Sequence, residues 1–188
     1  VATYLVRRYF IDTPTPDFAT AKRLLKDIAA KQPDNGYVDM LKSMVAGRES
    51  TPDGALPKLN ARDINGSSVT TATLKKARTT VVLAWSTWNY TSVSMLRQLD
   101  QRAKASNGRI AVVGICLNPS LKQCRTALKS NDITTATIIC DGRMVDGTAY
   151  NQMEMVGLPD NILIENGRIK KRSLTMSNLM NELDKIEK

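Results

Sequence analysis

The sequence predicts an α/β protein, a mixed sheet with helices on both faces, preceded by a small helical segment. Three observations predict this class. Thr79–Trp85 and Ile110–Ile115 are unbroken β-branched and apolar runs, the pattern of strands buried on both sides. Apolar residues at helical spacing separate those runs and close the chain. Asn161–Ile164 and Arg168–Lys171 flank Glu165-Asn166-Gly167, a hairpin signal that gives the sheet an antiparallel part.

The first fifty residues read as helices. Tyr4, Leu5, Tyr9 and Phe10 are spaced to share one apolar face. Thr13-Pro14-Thr15-Pro16-Asp17 breaks the chain, and Asp17 can cap a helix whose inward residues are Phe18, Ala21, Leu24, Leu25 and Ile28. Pro33-Asp34-Asn35-Gly36 makes a turn, and Val38, Leu41, Met44 and Val45 mark a third helical piece. Gly47 to Gly54, with Pro52-Asp53-Gly54, reads as a linker. Residues 1–54 are therefore expected to form a helical extension, and residues 55–188 the main domain.

In that domain Leu59, Ala61 and Ile64 lead into Asn65-Gly66, a hairpin turn, followed by Val69. A helix is expected after the first long strand, from about Tyr90, with Val93, Leu96 and Leu99 inward. Pro119 to Lys129 reads as helical, with Leu121 and Leu128 on one face. Thr137–Cys140 is a short strand ending at Asp141-Gly142, and Leu174–Ile186 is a closing helix with Leu179 and Leu183 inward. The order is β-β-α-β-α-β-β-β-α.

Composition limits the chemistry. The chain has 188 residues, 42% of them hydrophobic, enough for one substantial core and a small appendage. No apolar run approaches the ~20 residues of a membrane-spanning helix. With no histidine and only three cysteines, the usual zinc sites and any histidine-based triad are excluded, and neither metal nor cofactor is expected. The formal charge of +9 is uneven: eight basic against seven acidic side chains in residues 1–54, nineteen against eleven in 55–188. Its densest cluster is Arg168, Lys170, Lys171 and Arg172. That segment has no stacking aromatics and no recognition-helix motif, so it reads as a solvated strand and no nucleic-acid partner is expected.

A set of short motifs carries a family resemblance over residues 55–188. Trp85-Ser86-Thr87-Trp88, after a buried strand and before a helix, resembles the W-A-T/S-W of the TlpA/ResA-like branch of the thioredoxin superfamily, the AhpC/TSA–redoxin group. Leu56-Pro57-Lys58-Leu59 with the Asn65-Gly66 hairpin resembles that branch's opening segment, and Val113-Gly114-Ile115 its second buried strand. Gly157-Leu158-Pro159 resembles its cis-proline loop, and Ile162–Ile169 the hairpin that follows. The resemblance implies a thioredoxin-like fold, a family of thiol-disulfide oxidoreductases, and a cis Leu158–Pro159 bond. It also implies a bacterial envelope or periplasmic location, with membrane attachment only through a lipid anchor upstream of this chain. The helical extension resembles segments that precede the redoxin domain in envelope lipoproteins of gut bacteria.

The departure lies at the centre. Where the family has Cys-Pro-Pro-Cys, this chain has Asn89-Tyr90-Thr91-Ser92. The family's reaction needs a thiolate stabilised at the helix N-terminus and a second sulfur to resolve the mixed disulfide. Asn89 offers no nucleophile, and no histidine exists to activate Ser92. No catalytic residue is therefore expected at the degenerate positions Asn89 and Ser92. The surface left for binding comprises Trp88, Asn89, Tyr90, Thr91 and Ser92 with Leu158 and Pro159. Asn89 reads either as a helix N-cap or as part of an anion or peptide-carboxylate site. In the family, the residue before the cis proline pairs with an extended substrate segment, so Leu158 is expected to present a free backbone donor and acceptor. Trp85 reads as core, and Trp88 as a shield beside the site.

The remaining sulfurs are Cys116, Cys124 and Cys140. They read either as small apolar fillers or as relocated redox thiols, and the family sheet would put Cys116 and Cys140 on neighbouring strands. The expected function is a redox-inactive binding or scaffolding module for a protein or extended peptide. The alternative is an oxidoreductase working through the relocated cysteines.

Overall fold

The computed structural model describes residues 1–13, 16–50 and 54–187. Pro14 and Thr15 of the expected chain break, and Thr51–Asp53 of the expected linker, lie outside the described residues. The chain divides into two compact units, Val1–Asp53 and Gly54–Lys188.

The first unit is helical. Helix α1 (Ala2–Val6) continues as a π-helical turn over Arg7–Ile11, followed by α2 (Phe18–Lys31) and α3 (Gly36–Ser50). Asp17 caps α2, its carboxylate accepting the Thr20 N–H at 2.9 Å. Val6, Ile11, Ala21, Leu25, Val38, Leu41 and Val45 form the core, with Phe18, Leu24, Ile28 and Met44 against it. The expected inward face of the first helix is wrong: Tyr4, Leu5 and Tyr9 are exposed and Phe10 is half-buried. The cause is the π turn, whose i→i+5 repeat shifts the phase and brings Val6 and Ile11, five residues apart, inward instead. The linker also begins later than expected, because α3 runs through Gly47 to Ser50. One helical glycine costs only about 1 kcal/mol relative to alanine, which the rest of a fifteen-residue helix can carry.

The second unit opens with a hairpin of β1 (Asn60–Arg62) and β2 (Ser68–Thr70), in which Ala61 faces Val69. The Asp63 carboxylate shapes its loop by accepting the Asn65 and Ser67 N–H groups, each at 2.8 Å. There follow β3 (Thr79–Trp85), α4 (Tyr90–Ala105), β4 (Ile110–Cys116), α5 (Leu121–Ser130), β5 (Thr137–Ile139), α6 (Thr148–Gln152), β6 (Asp160–Glu165), β7 (Arg168–Arg172) and α7 (Met176–Glu187). The main sheet has the order β5-β4-β3-β6-β7. Strands β3, β4 and β5 are parallel, and β6 and β7 are antiparallel additions. Asn166 and Gly167 turn the last hairpin with φ of +51° and +73°, the left-handed pair that a tight primed turn demands.

Helices cover both faces of the sheet. Residues of α4, α5 and α7 pack on one side against Val81, Leu83, Trp85, Val112 and Leu163. The hairpin and α6 pack on the other, against Val82, Ala84, Val113, Ile115 and Ile162. Gly114 is required where it stands, since an added Cβ would lie 2.7 Å from Ile138 and 3.0 Å from the Trp85 indole. Helix α6 was not expected, because its five residues are too few to show a period. Helix α5 starts at Leu121 with Ser120 as its cap, not at Pro119, and Leu121 is exposed. Cys124 takes the inward position beside Leu128. In the basic cluster, Lys170 pairs with Glu165 at 2.8 Å, Lys171 with Glu182 at 3.2 Å and Arg172 with Glu154 at 3.5 Å.

Candidate functional site

The loop from β3 to α4 and the loop before β6 meet at one end of the sheet, because β3 pairs antiparallel with β6 up to Ala84↔Asp160. Asn89 is extended (φ −112°, ψ 94°) and caps α4, its Oδ1 accepting the Ser92 N–H at 2.8 Å. Its Nδ2 donates to the Leu158 carbonyl at 3.1 Å. Ser92 is fully buried. Its Oγ accepts the Ser86 N–H at 3.1 Å and lies 2.8 Å from the Asn89 carbonyl. Ser92 therefore holds the turn and presents nothing to a partner, contrary to its expected place on the binding surface. Thr91 is exposed, as are Trp88 (54%) and Tyr90 (86%).

The Leu158–Pro159 peptide is cis. Asp160 anchors this loop: its carboxylate accepts the Val156 N–H, the Asn161 N–H and the Ser173 hydroxyl, each at 2.8 Å. The Leu158 carbonyl is not free, as had been expected, because Asn89 occupies it. A carboxamide, unlike a thiol, carries a donor long enough to reach across. The Leu158 N–H has no partner among the described residues.

Sequence reasoning missed Asn118, which is fully buried just beyond β4. Its Oδ1 accepts the Thr87 N–H at 3.0 Å, and its Nδ2 donates to Thr87 Oγ1 at 2.6 Å, so it pins the loop before α4. The same Oδ1 accepts from Cys116 Sγ at 3.4 Å. A polar residue directly after an apolar strand, in Leu117-Asn118-Pro119, was the available signal.

The three sulfurs come together. Ile115 pairs with Ile139, so Cys116 and Cys140 follow at adjoining positions, and Cys124 projects inward from α5. All three Sγ atoms lie within 4.8 Å of one another. Cys116 and Cys124 are buried and Cys140 is half-buried. Hydrogen bonding to Cys124 and Cys140, together with burial, pushes the Cys116 thiol up. The Cys116 contact pulls Cys124 down, but Cys140 and burial outweigh it and hold Cys124 at about 12. Cys140 moves the other way, pulled down by its contacts with Cys116 and Cys124 and by the Gly142 N–H.

No family model matches the sequence, and no curated protein is similar to it. Solved structures are. A thiol-disulfide oxidoreductase from Bacteroides fragilis superposes with a TM-score of 0.61 at 20% identity, over 70% of this chain and 98% of that one. The thioredoxin domain of a thiol-disulfide oxidoreductase from Bacteroides vulgatus gives 0.61 at 17% identity, over 73% and 99%. A secreted disulfide oxidoreductase of Mycobacterium tuberculosis gives 0.55 at 16% identity, over 67% and 94%. Many neighbours are thus thiol-disulfide oxidoreductases or thioredoxin-like proteins, and at these identities the likeness shows a thioredoxin-like fold.

Proposed function

We propose that this protein is a redox-inactive binding module that takes an extended peptide segment at the α4 N-terminus and the Leu158–Pro159 loop. The observation that carries the reading is the Asn89 side chain, which links the first turn of α4 to the Leu158 carbonyl where two thiols would be needed for disulfide exchange. Neither a carboxamide nor the buried Ser92 hydroxyl can take up or release two electrons. The recognition elements remain: the free Leu158 N–H, and the exposed rings of Trp88 and Tyr90 beside it. An incoming strand bonds first to that N–H and displaces the Asn89 amide to reach the carbonyl. A bacterial envelope location goes with this reading, supported by the family resemblance and by a neighbour described as secreted.

A photocrosslinker in place of Tyr90, compared with one in place of Lys170, tests the surface in a native envelope extract. Adducts from position 90 alone support the reading, and adducts from position 170 alone reject it.

The sulfur cluster favours a second reading, a thiol-disulfide oxidoreductase working through Cys116, Cys124 and Cys140. It is the weaker of the two, because only half-buried Cys140 is within reach of a substrate disulfide. A thiol titration before and after mild oxidation separates them: three thiols that persist support the binding module.

A further inference from the structure

We propose that Cys116, Cys124 and Cys140 form a trigonal thiolate site for one copper(I) ion. Three elements that are distant in sequence, the end of β4, the first turns of α5 and the residue after β5, each deliver one sulfur to a common point. Apolar packing alone would fill this volume with any small side chain and does not require three Sγ atoms to face one another. Metal–thiolate bonds of about 2.3 Å place the sulfurs of a trigonal plane roughly 4 Å apart. The observed separations are all within 4.8 Å, so the sulfurs need to close by less than about 1 Å to reach that geometry.

The donor set selects the ion. The chain has no histidine and the cluster holds no carboxylate; the nearby Asn118 oxygens are neutral, so the anionic ligands on offer are soft thiolates. Structural zinc takes four ligands, and this group offers three. Soft, three-coordinate copper(I) matches the number and the softness together. Asn118 Oδ1 accepts from Cys116 Sγ at 3.4 Å and the Asn118 carbonyl from Cys140 Sγ at 3.8 Å, so copper(I) has to displace both S–H bonds as it binds. Entry is from the side of half-buried Cys140. On binding, Cu–S bonds form, S–H bonds break, and the displaced protons leave to water. The ion arrives as copper(I), and no electron is transferred.

The test is an anaerobic titration of the reduced full chain with copper(I) against the chelator bicinchoninate. The expected result is one equivalent retained per chain, with a near-ultraviolet thiolate-to-copper band. X-ray absorption of the wild-type complex should show about three sulfurs at roughly 2.3 Å. Cys140→Ser and Cys124→Ser should each abolish stoichiometric retention, with circular dichroism reporting that they remain folded. The wild-type absorption measurement decides the matter even if a variant unfolds. Failure to retain copper(I), oxygen or nitrogen ligands in place of sulfur, preference for zinc(II), or formation of a disulfide on copper addition would each overturn the proposal.

Discussion

Asn89 caps α4 with its oxygen and reaches Leu158 with its nitrogen. These two bonds can be separated by substitution. Asn89→Ala removes both and should cost about 1–2 kcal/mol in urea unfolding, the sum of a lost cap and one lost hydrogen bond. Asn89→Asp keeps the capping oxygen but sets a carboxylate against the Leu158 carbonyl, so it should lose stability while its helix content stays intact. An aspartate variant as stable as wild type would mean that the link to Leu158 contributes nothing. Gly114 tests packing in the same way. Gly114→Ala forces a Cβ against Ile138 and Trp85 and should cost about 1–3 kcal/mol by overpacking, with a change in tryptophan fluorescence. An unchanged unfolding midpoint would show that the indole moves aside freely.

Between elements, the buried Asp100 carboxylate of α4 accepts the N–H groups of Thr134, Thr135 and Ala136 at 3.2, 2.7 and 2.7 Å and so fixes the approach to β5. Asp100→Ala removes three hydrogen bonds to a charged group from the N–H groups of exposed Thr134 and Thr135 and half-buried Ala136, and should cost about 1–3 kcal/mol in denaturant unfolding. Glu182 of α7 holds Lys185 and, on β7, Lys171. Hydrogen bonds from Lys185 and then Lys171 hold its carboxyl below the ordinary 4.5. A depressed folded value contributes stability above pH 4.5, which is lost as pH falls through the lower folded value. The difference in thermal midpoint between wild type and Glu182→Gln should therefore be present near pH 6 and shrink towards pH 3, as followed by scanning calorimetry at about those values. A difference that does not change with pH would contradict this. The long strands and the Asn166-Gly167 turn were legible in the sequence because each rests on one local cause, β-branched burial or left-handed φ. The face of α1 was not, because a π turn changes the period, nor was the exposure of Leu121, because the helix begins there after its Ser120 cap. Cys116 and Cys140 could be matched from neighbouring strands. The third sulfur depends on how α5 seats against the sheet, which no spacing along the chain encodes.

Across the whole molecule, the residues decide function where the fold does not. The sheet and its helices have a thioredoxin-like fold, and on the reading proposed above Asn89 and Ser92 stand where an oxidoreductase of that fold would carry its sulfurs. The occupation of the Leu158 carbonyl by Asn89 was not legible in the sequence, since it joins residues sixty-nine apart. Lys170, Lys171 and Arg172 of the basic strand are each paired with a carboxylate, so that strand offers a weaker local field than its sequence suggests. The most direct test of the central claim is insulin reduction in dithiothreitol by the wild type and by the double variant Asn89→Cys, Ser92→Cys. The account predicts that the wild type runs at the rate of a thiol-free control, while the double variant forms a reducible disulfide and catalyses the reaction. Turnover by the wild type that disappears on Cys140→Ser would contradict it.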